Sequence, residues 1–466
     1  MNLMPLGSLG AVETHGTVTF GLWLPWVSAA DGDVVTVKII HEADQFLQAF
    51  PAREFQLTHS VRPPYGDFWS ATVPIAGTLP AVPGSAWGNP GRYVYRYTIT
   101  NPSVGTIDWI IDPFAREFGV GKQSAFTLGY EPYVWSAGEA QWRTPALADL
   151  ILYEVNIAEF GSDLNRARGF AAYLADLGIN AIEIMPLSNV GNSVDWGYLP
   201  IGYFGVDERF GNRLDFQQLV DICHQHGIAV IVDVVYGHTG VDFPYYDAYT
   251  RLRYRDNPFM GPFAKDYFSN FGKSTDFNRE ITRDFFFTAN HHWLEVYHVD
   301  GFRYDCVPNY WDGPMGVGYA SLVYETHQLT KANIASGRPY WSRFDAGAGK
   351  PLTLVQMAEQ LEAPRKCCAR PIPTARGRTA PTALRARLPM GIAAGWPTWV
   401  CSWASSATPT GRRSTVTRSP KLHFNTSRTT ITNASFAISG PPIPTKPSIR
   451  CSPRATEHSG TCCSPI

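Results

Sequence analysis

The chain has 466 residues, of which 44% are hydrophobic, and a formal net charge of −1 at pH 7. That total averages two unlike parts, because 15 Lys or Arg residues and a single acid, Glu457, follow Pro364, whereas 24 basic and 39 acidic residues precede Arg365. No apolar run reaches the roughly 18 residues of a membrane helix, and the opening residues lack the basic start and apolar core of a secretion signal. The composition excludes a membrane-spanning helix and predicts a soluble front part.

The cysteines are unevenly distributed as well. Only Cys223 and Cys306 precede residue 365, and two isolated cysteines do not make a disulfide framework. We therefore predict a thiol-reducing, cytoplasmic location. The adjacent cysteine pairs of the C-terminal part lack the two-to-four-residue separation of zinc ligands, so no metal site is predicted there.

The first part of the chain, residues 1–140, is rich in Gly, Pro and short runs of β-branched and aromatic residues. Examples are "GTVTFGLWLP", "DVVTVKII" and "RYVYRYTI". Strands of this length, separated by turn residues, are typical of two packed antiparallel sheets. The sequence therefore predicts an all-β N-terminal sandwich.

Beyond about residue 145 the hydrophobic period changes. The apolar runs "LILYEVNI", "NAIEIMPL", "IAVIVDVVYGH", "VDGFRYD" and "LTLVQMAE" alternate with stretches of helical spacing, among them "GFAAYLADLG", "DFQQLVDICHQHG" and residues 284–297 and 318–334. Strands that are apolar along their whole length are typical of a parallel sheet covered by helices. The pattern fits a doubly wound sheet or a (β/α)₈ barrel. The histidines of "HQHG" and "NHH" fall on helix candidates, where solvated or capping positions are expected rather than metal ligands.

Polar residues at the ends of three successive strand candidates favour the barrel, which assembles its active site at that edge. They are Asp233 with His238, Arg303 with Asp305, and Glu359. Arg303 and Asp305 are two apart on one strand, so they share a face and the guanidinium can hold the carboxylate ionised. Glu359 suits a proton donor with a raised pKa. This division of roles predicts a retaining glycosidase, whose two carboxyls lie about 5 to 5.5 Å apart.

Three of these stretches carry a specific resemblance. "DVVYGHTG", "GFRYD" and "MAEQ" resemble the first three conserved regions of the α-amylase family of glycoside hydrolases, and "WGYLPIGYFGVDERFG" resembles its second strand loop. The N-terminal part is similar to the carbohydrate-binding-type β-sandwich of branching enzymes, isoamylases and trehalohydrolases. The resemblance covers residues from about 15 to 363. It implies a sandwich over 1–140 and a partial (β/α)₈ catalytic domain over 145–364, with an excursion at about 239–283.

The resemblance also implies roles for individual residues. Asp305 would be the nucleophile and Glu359 the general acid/base. Three residues would bind substrate. A sugar would stack on Tyr198, His238 would donate to sugar hydroxyls, and Arg303 would pair with the nucleophile. Asp233 would be a structural support. The implied partner is an α-glucan oligo- or polysaccharide, with no cofactor, no nucleic acid and no membrane.

The sequence departs from the family pattern at two points. Gly237 stands where the family often has an Asn that serves calcium, so calcium is not expected. The family's third acid, the Asp of an Asn-His-Asp motif near the end of the seventh strand, has no counterpart, because no Asp follows Glu362. Only five of eight strand candidates precede Pro364. We therefore predict an incomplete barrel that is inactive as written.

The last part, residues 365–466, is dominated by Arg, Pro, Ala, Thr, Ser and Cys without helical or strand periodicity. We interpret it as an unstructured tail translated from a shifted reading frame of a G+C-rich gene. A genuine basic arm is the alternative, although clustered Cys residues and Trp396, Trp399 and Trp403 are unusual in solvated arms. Three functions stay open: an α-glucan-active glycosidase or transglycosylase, a non-catalytic glucan-binding protein, and a nucleic-acid-binding protein that uses the tail.

Overall fold

A computed structural model of the protein describes residues 1–191, 196–263, 272–359 and 398–400. The predicted unstructured, out-of-frame tail at 365–466 lies outside these residues, apart from the strand Thr398–Val400. Within the described part of the chain, no helix is long and apolar enough to cross a membrane.

The N-terminal part consists of antiparallel strands arranged in two sheets. The strands are β1 (Gly10–Thr14), β2 (Thr17–Trp23), β3 (Val34–His41), β4 (Arg53–Gln56), β5 (Thr58–Arg62), β6 (Gly66–Pro74), β7 (Gly91–Asn101), β8 (Gly105–Ile110), β9 (Glu117–Gly119) and β10 (Gln123–Leu128). One sheet has the order β1-β2-β6-β5, and the other has the order β4-β3-β7-β10-β9 with β8 paired to β7.

The two sheets pack face to face through apolar side chains. In β3, Val35, Val37 and Ile39 are fully buried and alternate with more exposed neighbours, because successive side chains of a strand point to opposite faces. Phe20 of β2 meets Tyr95 of β7 edge-on, with ring centroids 5.1 Å apart. This contact joins the two sheets, and the predicted N-terminal sandwich is confirmed.

Five parallel strands follow in the second part of the chain. They are β11 (Leu152–Val155), β12 (Ala181–Ile184), β13 (Ala229–Val234), β16 (Gly301–Tyr304) and β17 (Val355–Glu359), with a short antiparallel pair, β14 (His238–Thr239) and β15 (Lys273–Ser274), inserted after β13. The sheet order is β11-β12-β13-β16-β17, and β18 (Thr398–Val400) pairs antiparallel with β17. All five predicted strand runs form the predicted parallel sheet.

Helices connect the parallel strands. They are α1 (Ile157–Phe160), α2 (Leu164–Arg168), α3 (Ala171–Asp176), α4 (Arg213–Gln225), α5 (Pro244–Arg251), α6 (Glu280–Val296) and α7 (Tyr319–Ala335). The start of α4 is defined by a capping box, in which Asn212 and Asp215 each accept a hydrogen bond from the other's backbone N–H.

Helix α5 belongs to the predicted excursion between β13 and α6, and it packs against the sandwich. The Tyr245 hydroxyl donates to the Trp23 carbonyl at 3.0 Å, and the Tyr249 hydroxyl donates to the Pro25 carbonyl at 2.6 Å. Both tyrosines are buried. The excursion therefore holds the sandwich and the parallel sheet together.

The centre of the sheet is fully buried, whereas β11 is open. All six residues of β13 are buried, as expected for a strand covered on both faces. A Cβ at Gly301 would lie 2.0 Å from the Val355 carbonyl oxygen, so only glycine fits at the start of β16. In β11, by contrast, Leu152 is 37% exposed and Tyr153 is 42% exposed, and on α3 Tyr173 is 57% exposed. Among the described residues, no helix or strand packs over the exposed part of these apolar side chains.

Candidate active site

The carboxyl ends of β13, β16 and β17 bring four of the sequence-predicted residues together around one guanidinium. Arg303 Nη1 donates to Asp233 Oδ1 at 3.0 Å and to Asp305 Oδ1 at 2.9 Å. Arg303 Nη2 lies 2.8 Å from Glu359 Oε1. The strand register explains the cluster, because Asp233 pairs directly with Arg303 on the neighbouring strand.

The two predicted catalytic carboxyls lie close enough to act on one bond. They contact the two terminal nitrogens of a single planar guanidinium, which are about 2.3 Å apart, so Asp305 Oδ1 and Glu359 Oε1 are separated by no more than about 8 Å. This bound is compatible with the paired-acid mechanisms of glycoside hydrolysis. The backbone N–H of Cys306 donates to Glu359 Oε2 at 2.8 Å. Each oxygen of Glu359 therefore has one partner, and each keeps a further lone pair that can face a glycosidic oxygen.

The electrostatics of Asp305 differ from the expectation. Burial raises the pKa of Asp305 well above its ordinary value, the neighbouring Asp233 raises it further, and Arg303 offsets only part of this effect. The physical reason is that one guanidinium serves several carboxyls in a site closed to water. The expectation that Arg303 by itself holds Asp305 ionised is corrected accordingly.

A fourth carboxyl of the cluster, Glu183, was missed by the sequence reasoning. It lies on β12, is 4% exposed, and places Oε1 3.8 Å from Arg303 Nε. Burial raises the pKa of Glu183 to about 8, and the charge of Asp233 contributes to this rise. Burial likewise raises the pKa of Asp233 to about 6. The available signal was an acidic residue in the middle of the apolar run "NAIEIMPL".

The two predicted sugar-binding side chains border the same cluster. The Tyr198 hydroxyl donates to Asp233 Oδ2 at 2.8 Å, and its ring centroid lies 6.0 Å from the guanidinium carbon of Arg303. His238 Nε2 donates to the Tyr198 carbonyl at 2.9 Å. Burial lowers the pKa of His238, which favours the neutral ring. Both residues are thus positioned by the cluster and by each other.

The position of the family's calcium-linked Asn has no room for a side chain. A Cβ at Gly237 would lie 2.8 Å from both the Asn309 Cβ and the Tyr310 Cδ1. Within the described ranges, no group of three or more His, Cys, Asp or Glu side chains is arranged to hold a metal ion. Gly237 therefore supplies no side-chain ligand for calcium.

Two histidines that were expected to be solvated or capping are buried instead, so that prediction was wrong for them. His224 Nδ1 lies 2.8 Å from Glu139 Oε2, and its Nε2 lies 2.9 Å from Asp300 Oδ2. His292 Nε2 donates to the Phe204 carbonyl at 2.8 Å. These helix faces pack against the rest of the fold, a contact that local periodicity does not reveal.

Comparisons with known proteins match part of this chain. Residues 170–290 match the family model of the α-amylase catalytic domain. A 1,4-alpha-glucan branching enzyme from Nitrosomonas eutropha is 30% identical over 239 residues, which cover 47% of this chain and 31% of the relative. A malto-oligosyltrehalose trehalohydrolase from Deinococcus radiodurans is 29% identical over 221 residues, which cover 47% of this chain and 35% of that protein.

The fold also matches solved structures. A type I pullulanase from Bacillus subtilis, complexed with maltose, aligns with a TM-score of 0.50 and 21% identity over 72% of this chain and 46% of the pullulanase. The antiparallel sheets followed by parallel strands with a polar cluster at their carboxyl ends have the fold of these structures. Over residues 170–290 the chain is similar to the α-amylase catalytic domain. The chain spans about a third of the length of the two curated relatives.

Proposed function

We propose that this chain belongs by lineage to the α-glucan-active enzymes of the retaining type, glycosidases or transglycosylases, with Asp305 at the position of the nucleophile and Glu359 at that of the general acid/base. The observation that carries the proposal is the convergence of both carboxyls on Arg303 at the ends of adjacent parallel strands. The relatives named above act on α-linked glucose chains according to their names, which favours an α-glucan as substrate. A cytoplasmic location belongs to the proposal, since Cys223 and Cys306 are free thiols.

In the proposed reaction, Asp305 attacks the anomeric carbon while Glu359 protonates the leaving oxygen, so that a covalent glycosyl ester forms on Asp305. Glu359 then removes a proton from water or from an acceptor hydroxyl, which attacks the same carbon and releases Asp305. Arg303 stabilises the charge on Asp305 and fixes both carboxyls in place. Tyr198 and His238 border the position of the sugar.

The first step requires Asp305 in its ionised form. Because burial and Asp233 raise the pKa of Asp305, the fraction of ionised nucleophile increases with pH in this cluster. We therefore expect the acid limb of any turnover to lie at a higher pH than an ordinary aspartate nucleophile would give.

A non-catalytic glucan-binding protein is the second candidate. The observation that favours it is the lack of any Asp after Glu362, so the third acid of the family pattern has no counterpart in this chain. Loss of one preorganised transition-state contact typically lowers the rate by about 10² to 10³. We propose on this ground that the 466-residue chain turns over α-glucans below detection, and that repair of the reading frame near codon 364 restores activity.

The experiment is to incubate the purified chain with amylose, glycogen and pullulan, to measure new reducing ends and chain transfer, and to test retention on immobilised amylose. Asp305→Asn is the test variant. Asp345→Asn, an exposed turn aspartate that accepts a hydrogen bond from the Gly347 N–H, is the matched control.

Turnover that Asp305→Asn abolishes and Asp345→Asn preserves supports the enzyme. Retention on amylose without turnover supports the binding protein. If the product of the frame-repaired gene then hydrolyses or transfers α-glucan, the lineage is that of an enzyme. A chain that neither binds nor converts any of the three glucans contradicts both candidates. A salt-sensitive shift on DNA in that case favours the nucleic-acid alternative.

A further inference from the structure

A second cavity lies apart from the carboxyl cluster. It has a volume of about 550 Å³, and none of its lining residues contacts Arg303. Its walls are residues 130–135, which follow the sandwich, one face of α4, the end of α6, and residues 338–343. Helix α6 ends at the amino edge of the sheet, and residues 338–343 lie at the same edge, just before β17. This cavity is therefore at the opposite edge of the sheet from the predicted catalytic residues.

Aromatic rings dominate the mouth of this cavity. The Trp135 ring stacks on the His298 ring, with centroids 3.8 Å apart and an interplanar angle of 10°. Tyr340 lies against the same histidine at 4.5 Å, and Tyr133 meets Trp135 edge-on at 5.0 Å. His298 is buried, whereas Trp135 and Tyr340 are only partly buried. The histidine therefore fixes two rings that still offer surface to an occupant.

The polar groups around the rings are largely neutralised. Arg338 pairs with Glu295 at 2.7 Å, and Arg213 pairs with Glu117 at 3.0 Å. The buried Arg343 donates through Nη2 to two backbone carbonyls, but its Nε has no hydrogen-bond partner. The Nε atoms of Arg213 and Arg343 are buried and have no partner, so the cavity offers an occupant ring faces and the remaining N–H groups of arginines that are already bonded.

This combination indicates the class of occupant. A glucose ring has apolar C–H faces, which suit aromatic surfaces, and hydroxyl oxygens at its edge, which accept hydrogen bonds from planar donors. A phosphate group would instead favour unpaired cations, and both of the partly exposed arginines are already paired. The cavity volume lies in the range of small-molecule sites.

We propose that this cavity binds a short α-linked glucose chain, as a glucan contact separate from the carboxyl cluster. The choice of α-linked glucose rests on the proposed function, whereas the sugar class follows from the rings and donors of the cavity. A second contact of this kind would hold a polymeric substrate while another part of it occupies the cluster, which raises the effective concentration of the bound chain.

The test uses the full chain with Asp305→Asn, to prevent turnover, and with 5-fluorotryptophan in place of tryptophan. Maltohexaose is titrated and ¹⁹F resonances are followed. Trp135 reports the cavity, and Trp196, which is 64% exposed and two residues before Tyr198, reports the cluster edge. Trp135→Leu and Trp196→Leu assign the two signals.

Tyr340→Gly removes one ring without opposing the backbone, because Tyr340 has φ of 66°, a left-handed conformation that glycine adopts freely. We expect saturable movement of the Trp135 signal, with an affinity that Tyr340→Gly lowers by about three- to tenfold. The matched control is His15→Gly, an exposed ring at φ of 49° in the β1–β2 turn, which should leave the affinity unchanged.

Several results would overturn the proposal: a Trp135 signal that does not move, an affinity that Tyr340→Gly leaves unchanged, an equal response to cellohexaose, or a response to glucose 6-phosphate alone. The two reporters separate this proposal from the proposed function. Movement of Trp135 with a static Trp196 supports the cavity and counts against the cluster as a glucan site, and the reverse pattern counts against the cavity.

Discussion

Replacing Glu183 by Gln tests whether the buried excess of carboxyls lowers stability. The pKa of Glu183 is about 8 in the folded chain, against an ordinary value of 4.5. The unfolded chain therefore loses this proton at a lower pH than the folded chain, and the free energy of unfolding falls as pH rises from 4.5 to 8. Gln carries no such proton. The variant should match the parent near pH 4.5 and exceed its stability above pH 8 by on the order of 5 kcal/mol.

The assay is urea unfolding at pH 5 and at pH 8.5, followed by near-ultraviolet circular dichroism. Glu154→Gln is the matched control, because Glu154 lies directly opposite Glu183 in the β11–β12 register but is exposed. Glu183→Gln should show the large stability gain that grows with pH, whereas Glu154→Gln removes only a minor contribution to the raised pKa of Glu183 and should show a much smaller one. A loss of stability at pH 8.5 would refute the reasoning, since it would mean that the charge of ionised Glu183 stabilises the folded chain through Arg303.

Three further predictions follow from the same contacts. Arg303→Met should destabilise the chain by about 3 to 5 kcal/mol in urea unfolding, because it leaves buried carboxyls without their cation. A smaller loss of stability when Arg303→Met is combined with Asp233→Asn would show that charge is the cause. An unchanged unfolding midpoint for Arg303→Met alone would contradict the prediction. The pKa of His224 is raised to about 9, so the stability that protonated His224 gives the folded chain is complete below pH 6.5 and disappears as pH rises through 9. The loss of melting temperature in His224→Asn should therefore be larger at pH 6 than at pH 10. An equal loss at both pH values would contradict this prediction. The exposed apolar surface of β11 should promote self-association of the chain. Tyr153→Lys should therefore reduce light scattering at equal protein concentration. A parent chain that is monomeric and unfolds in one sharp thermal transition would show instead that this surface is covered.

The positions of the parallel strands were predictable because each strand is apolar along its length. In β13, burial on both faces removes the alternation that marks a half-exposed strand. Helix α3 shows where this reasoning fails. Tyr173 and Leu177 have the spacing of a core-facing stripe, yet they are 57% and 56% exposed. Periodicity identifies a face that requires cover, but it does not identify the element that provides the cover.

The site was predictable to the extent that chain position determines it. Asp233, Asp305 and Glu359 follow or end neighbouring parallel strands, and such ends meet at one edge of a sheet. Glu183 was missed because the apolar run "NAIEIMPL" continues past it, although β12 itself ends one residue later, at Ile184. Its contact with Arg303 depends on the side-chain direction at one register position and on the tilt of neighbouring strands, neither of which is encoded in local sequence.

The missed carboxyl changes how the charge of the nucleophile is understood. With a pKa of about 8, Glu183 keeps its proton at pH 7 and contributes little repulsion there. Asp233, with a pKa of about 6, is mostly ionised at pH 7, so it is the neighbour that opposes ionisation of Asp305. Yet Asp233 also accepts from Arg303 and Tyr198, the groups that hold the site in shape. The carboxylate that orders this site therefore also raises the pKa of its proposed nucleophile, so catalysis requires substrate contacts that favour the ionised form of Asp305 in addition to the third acid of the family pattern.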